Sequence, residues 1–118
     1  MPGVLPNTKF TVSKGIYVPE FYAKPIIITT NYDVLQTDYV LLVSTSAGPI
    51  NIDLGVNSPF IEGKILYIKD IDGQATANPI SIVSANVDGN TSYSLDTNYQ
   101  GIQIIYYSSD WYILSKNR

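Results

Sequence analysis

The sequence predicts an all-β fold, an antiparallel and jelly-roll-like sandwich, on three observations. β-Branched and aromatic residues gather in short runs, such as Ile26-Ile27-Ile28 and Val40-Leu41-Leu42-Val43, which suit a pleated surface better than a helical turn. Turn chemistry built on Gly, Pro, Asn and Asp interrupts these runs roughly every 8–12 residues, as sandwiches and barrels show. No window holds apolar residues at sustained helical spacing between caps, so almost no helix is expected. Eight to ten short strands joined by such turns close most simply as two packed sheets.

Taken in order, residues 1–8 carry two prolines and a glycine and read as a lead-in segment to a single domain spanning 1–118. Lys9-Phe10-Thr11-Val12-Ser13 alternates and reads as a first short strand. Pro19 and Pro25 bracket a stretch of irregular or edge structure. Residues 26–30 form a strand, and 39–44 another, buried one. Ser46-Ala47-Gly48-Pro49 makes a turn into Ile50-Asn51-Ile52-Asp53-Leu54, whose alternation puts three aliphatics on one face. A loop from Gly55 to Glu62 follows, with Phe60 and Ile61 tucking it onto the core.

The central unit, from Gly63 to Ile82, reads strand, turn, loop, strand. Ile65 to Ile68 is apolar and aromatic, Asp70-Ile71-Asp72-Gly73 breaks the run as a hairpin turn, and Ile80-Ser81-Ile82-Val83 opens a second strand. Asp88-Gly89 is turn chemistry, 91–95 a short strand and 96–101 a further turn. Residues 102–107 and 111–115 are then joined by Ser108-Ser109-Asp110 into a closing hairpin.

Composition narrows the function. Charged residues are only 14% of the chain, so Asn, Ser, Thr and ten tyrosines must supply much of the polar surface. That suits an extracellular or virion-type surface, or one partly hidden in an oligomer. Seven scattered basic residues and a net charge of −3 leave no stripe to track a phosphate backbone, which argues against nucleic-acid binding. No apolar run approaches the ~20 residues that cross a bilayer, so no membrane insertion by a helix is expected. The first residues lack the basic start and apolar middle of a signal peptide.

Cysteine and histidine are both absent, which removes disulfides, thiolate metal sites and the usual Ser-His-Asp and Cys-His machinery. The adjacent pairs Ser13-Lys14 and Ser115-Lys116 diverge on a strand and make poor nucleophile–base couples. Most of the eight Asp lie in turns, where bonding to nearby backbone explains Asp70, Asp72, Asp88 and Asp110 without a catalytic pair. Asp70-x-Asp72-Gly73 resembles the opening of a calcium loop, but the terminal acid such a loop needs is replaced by Ser81. Asn90-Thr91-Ser92 matches a glycosylation sequon and, without a secretory route, reads as coincidence. No enzyme activity, cofactor or metal is expected.

The aromatics are the remaining signal. Tyr106, Tyr107, Trp111 and Tyr112 cluster near the C-terminus, and strand alternation must put some on each face. Core and cross-strand packing accounts for them; the functional alternative is a ligand or subunit contact, such as a platform for a sugar ring.

Asp38-Tyr39-Val40, Ile50-x-Ile52-x-Leu54 and the block Gly63-Lys64-x-x-x-Ile68-Lys69-Asp70-x-x-Gly73-x-Ala75-x-x-Asn78-Pro79-Ile80-x-Ile82 together resemble a β-domain of viral structural proteins. That domain recurs in bacteriophage tail fibres and spikes and in surface or capsid-associated proteins of large DNA viruses and virophages. The later Asp88-Gly89 and Trp111-Tyr112-Ile113 also fit, so the likeness spans about residues 26 to 115. One departure is Gly55, where that family often has proline, so the loop to Phe60 is expected to run differently. The resemblance implies a homotrimeric fibre-head, spike or capsid-surface module in the virion, and it transfers no catalytic residues. Its partners would be further copies of the chain, a host-surface glycan met by exposed loops at 46–49, 55–62, 72–78 and 84–90, or other virion proteins. The alternative is a purely structural capsid-decorating protein without a ligand; a carbohydrate-active enzyme would need two convergent carboxylates in a cleft.

Overall fold

The computed structural model describes residues 22–118. The expected strand at 9–13 and the lead-in segment lie outside them. Among the described residues there is no helix, and nine strands form two sheets. The five-stranded sheet runs β1 (Pro25–Ile28), β3 (Val40–Val43), β5 (Ile65–Asp70), β8 (Gly101–Tyr107) and β9 (Asp110–Asn117) in spatial order. The four-stranded sheet runs β2 (Tyr32–Asp33), β4 (Ile50–Asp53), β6 (Ile80–Val83) and β7 (Tyr93–Leu95).

The pairing corrects the antiparallel, jelly-roll-like expectation. β1, β3 and β5 are parallel to one another, as are β2, β4 and β6; only β5–β8, β6–β7 and β8–β9 are antiparallel. From β1 to β6 the chain winds alternately through the two sheets, and each turn of the coil adds one parallel strand to each. A parallel neighbour needs a long return path, and the strand laid down in the opposite sheet supplies it. Asp70 to Gly73 is therefore a crossing between sheets and not a hairpin turn. Turn residues mark where the chain bends; whether the next strand pairs with the last or faces it across the core is a tertiary outcome.

The closing hairpin is as expected. Ser108 and Ser109 hold φ of 52° and 69°, the conformation of a two-residue type I′ turn, and Glu62 accepts the Ser108 N–H with both carboxylate oxygens at 2.9 and 3.1 Å. A bulge in the register between Gln103 and Ile104 bends β9 near Leu114.

The core lies between the sheets. Leu41, Ile52, Leu66, Ile68, Ile80, Ile82, Leu95 and Ile104 are fully buried, at roughly 1.5–3 kcal/mol each. At one end Phe60, Tyr106 and Trp111 meet edge to face, with ring centroids 5.3–5.8 Å apart. Phe60 tucks its loop inward as expected, whereas Ile61 stays exposed. Gly55 is required where it stands: a Cβ there would lie 2.7 Å from the Cβ of Ser84.

Candidate functional site

Strand direction sorts the loops into two groups. The connections after β3 and β5 meet at one end, where Asn78 Nδ2 donates to the Thr45 carbonyl at 2.8 Å and Ser44 donates to Asp72. At the opposite end the 55–62 and 84–90 loops come together, Gly55 packing on Ser84 and Ser84 donating to Asp53 at 3.1 Å. The four loops singled out in the sequence thus form two clusters of two.

Asp70 organises the first end. Its side chain is fully buried at the close of β5, and its oxygens accept the N–H groups of Asp72 (3.2 Å), Gly73 (3.1 Å), Ala75 (3.0 Å) and Tyr99 (3.0 Å). Burial pushes its carboxyl up, but these amide donors outweigh it and hold the group below the usual carboxylate range. Both oxygens are thus occupied by backbone donors, which explains the Asp-x-Asp-Gly pattern without calcium. Gly73 bends at φ +68° beneath the Tyr99 ring, where a Cβ would come within 2.4 Å of Cε2. No group of three or more His, Cys, Asp or Glu among the described residues could hold a metal ion.

A second polar cluster sits at the other end. The Tyr32 hydroxyl donates to Asp38 Oδ2 at 2.7 Å, and the Leu35 N–H donates to the same oxygen at 2.8 Å. Burial, followed by the hydrogen bond and charge of Asp38, pushes the Tyr32 hydroxyl up to about 12. Lys64 donates to the carbonyls of Gln36 and Asp38; burial pushes its ammonium down and the Asp38 charge pulls it partly back. Sequence reasoning did not bring Tyr32, Asp38 and Lys64 together, because they stand apart in the chain and Tyr32 lies in a stretch with no periodic pattern.

The other turn carboxylates are bracing groups as well. Asp53 accepts from the Gly55 N–H, Asp88 from the Ile113 N–H and Asp110 from Asn86. The backbone partner of Asp88 is remote in sequence, and Asp72 and Asp110 bond side chains; Asp53, Asp38 and, in three of its four amide bonds, Asp70 follow the local rule. Ser115 donates to Gln103 at 3.2 Å.

The four C-terminal aromatics divide in pairs. Tyr106 and Trp111 are core residues, 4% and 1% exposed, so they are not available to a ligand or a second subunit. Tyr107 and Tyr112 face outward, 64% and 42% exposed. Their sheet's outer face is the least polar of the two. It carries Ile27, Leu42, Ile65 and Ile105 beside Tyr67, Lys69 and Gln103, whereas the outer face of the four-stranded sheet carries Asn51, Asp53, Ser81 and Ser94 with Val83. A shallow groove of about 380 Å³ crosses the former between Tyr67, Gln103, Ser115, Lys69 and Asn117, floored by Gly101.

No protein-family model matches the chain, and comparison with curated proteins finds no match.

Proposed function

We propose that the chain is a non-catalytic surface module of the viral kind its central block resembles, a fibre-head, spike or capsid-surface domain working as a homotrimer. The observation that carries this is the use made of its chemical groups. The carboxylates of Asp38, Asp53, Asp70, Asp72, Asp88 and Asp110 each accept hydrogen bonds that brace loops, and none of these bonds pairs two of the carboxylates as acid and base. Such bracing suits a rigid frame that displays loops. Attachment to a host glycan would then rest on several weak sites acting together, with avidity exceeding any single contact.

Glycan-array and cell-surface binding of the purified chain tests this reading. Binding that is strong for the assembled protein and weak for dilute single chains is the expected result. An assembled protein that binds no glycan and no cell would leave the decorating, ligand-free role, which the apolar outer sheet face also favours.

A further inference from the structure

We infer that the outer face of the five-stranded sheet is the surface on which copies of this chain associate. The inference rests on the reading above only for the expectation that copies assemble; the contact it names sets two copies face to face about a two-fold axis, a dimer in place of the homotrimer.

Sheets built from parallel strands normally have both faces covered, and their strands then read as continuous apolar runs rather than alternating ones. β1, β3 and the start of β5 read so: Pro-Ile-Ile-Ile, Val-Leu-Leu-Val and Ile-Leu-Tyr-Ile. In β4, Ile-Asn-Ile-Asp alternates, and its outer face is polar. The inner residues of the first set fill the core; of the outer ones Ile27 is 57% exposed, whereas Val40, Leu42, Ile65 and Tyr67 are half-buried. The bulge in β9 leaves Leu114 exposed as well, beside Tyr112.

The polar groups on this face are already satisfied. Gln103 Nε2 donates to the Tyr67 hydroxyl at 2.6 Å, and the Ser115 hydroxyl donates to Gln103 Oε1 at 3.2 Å, a ladder across three strands. The Lys69 ammonium is drawn aside to the Tyr99 carbonyl. Burying polar groups bonded in this way avoids the cost of leaving them unpaired, so the face suits a flat apolar partner.

A second copy of the same face meets these requirements. Its rim carries Glu62 and Asp110 toward the hairpin end and Lys69 and Arg118 toward the other, so opposed copies can set acid against base. Five strands about 4.8 Å apart and about 20 Å long give a plan area of roughly 500 Å². Side-chain relief brings that toward the roughly 800 Å² each partner gives a standard interface.

Light scattering on the full chain decides the matter. The wild type is expected at twice the 13.0 kDa chain mass, and a mass of three chains would overturn the face-to-face pair in favour of the homotrimer. Ile27→Lys with Tyr112→Lys should fall to a single chain with its β circular dichroism unchanged, while Asn51→Lys on the opposite sheet keeps the wild-type mass. If the lysine pair unfolds, Ile27→Ser with Tyr112→Ser should instead raise the concentration for half-assembly by tenfold or more. An oligomer of unchanged mass in a folded double variant overturns the assignment of this face and leaves the proposed function standing. A wild-type monomer overturns self-association itself, and the homotrimer with it, whether residues 1–21 or an unlike partner covers the face.

Discussion

The carboxylate of Asp70 accepts the backbone N–H of Tyr99 at 3.0 Å across 29 residues of chain. Through this contact and three nearer amides, one buried charge ties the crossing after β5 to the turn before β8. Replacing it leaves several N–H groups without an acceptor in a closed site.

Asp70→Ala should therefore cost about 3–5 kcal/mol of stability, and Asp70→Asn less, in urea unfolding. The pH dependence has a definite sign. The folded carboxyl titrates below its unfolded value of roughly 4, so its contribution is complete above that pH and is lost as pH falls through the folded value. Wild-type stability should drop in acid with a limb that Asp70→Asn lacks. Parallel acid limbs in the two proteins would refute the role given to this group.

Tyr32 predicts the opposite limb. Its hydroxyl titrates at about 12 against an ordinary 10, so the bond to Asp38 stabilises fully below pH 10 and is lost as pH rises toward 12. Tyr32→Phe should cost about 1–2 kcal/mol at neutral pH and lose stability less steeply than wild type over that window. Unfolding midpoints measured at pH 7, 10 and 11.5 provide the check.

Trp111 and Tyr112 are neighbours with opposite environments, and their truncations should differ sharply. Trp111→Ala opens a cavity against Phe60 and Tyr106 and should cost about 3–5 kcal/mol. Tyr112→Ala, measured where the chain is monomeric, should stay within about 1 kcal/mol of wild type. Equal losses would mean that the inward and outward faces of β9 had been misjudged.

Thr45 is fully buried, and its hydroxyl has no hydrogen-bond partner among the described residues. Thr45→Val keeps the shape and removes the unpaired group, so it should stabilise the fold by about 1 kcal/mol. A loss of stability in thermal unfolding would show that the hydroxyl is bonded after all.

Strand positions were largely legible because alternation is a local signal. Ile50 and Ile52 are buried and Asn51 exposed, as their pattern requires, and Ser108-Ser109 turns the hairpin where it was expected. Pairing direction was not legible, since the same apolar run serves a parallel or an antiparallel neighbour. β2 is only two residues long, Tyr32 and Asp33, too short for any periodicity. Alternation divided Tyr106, Tyr107, Trp111 and Tyr112 into pairs, but the choice of inward pair depends on Phe60, which arrives from a distant loop. Asp70 bonds the nearby Asp72, Gly73 and Ala75 amides as a turn carboxylate does, but the Tyr99 amide it also holds is remote in sequence and left no local signal.

The winding of β1 to β6 also governs how a molecule of this design changes length. Each turn advances the coil by one strand spacing, about 4.8 Å, and leaves the same two edges to receive the next. Duplicating residues 40–64, which carry β3 and β4, would lengthen the body by one step while the β7 to β9 cap kept its contacts with β5 and β6. Reach and end-group chemistry are thereby separable traits in one chain: the first follows from the number of turns, the second from the loops that close each end.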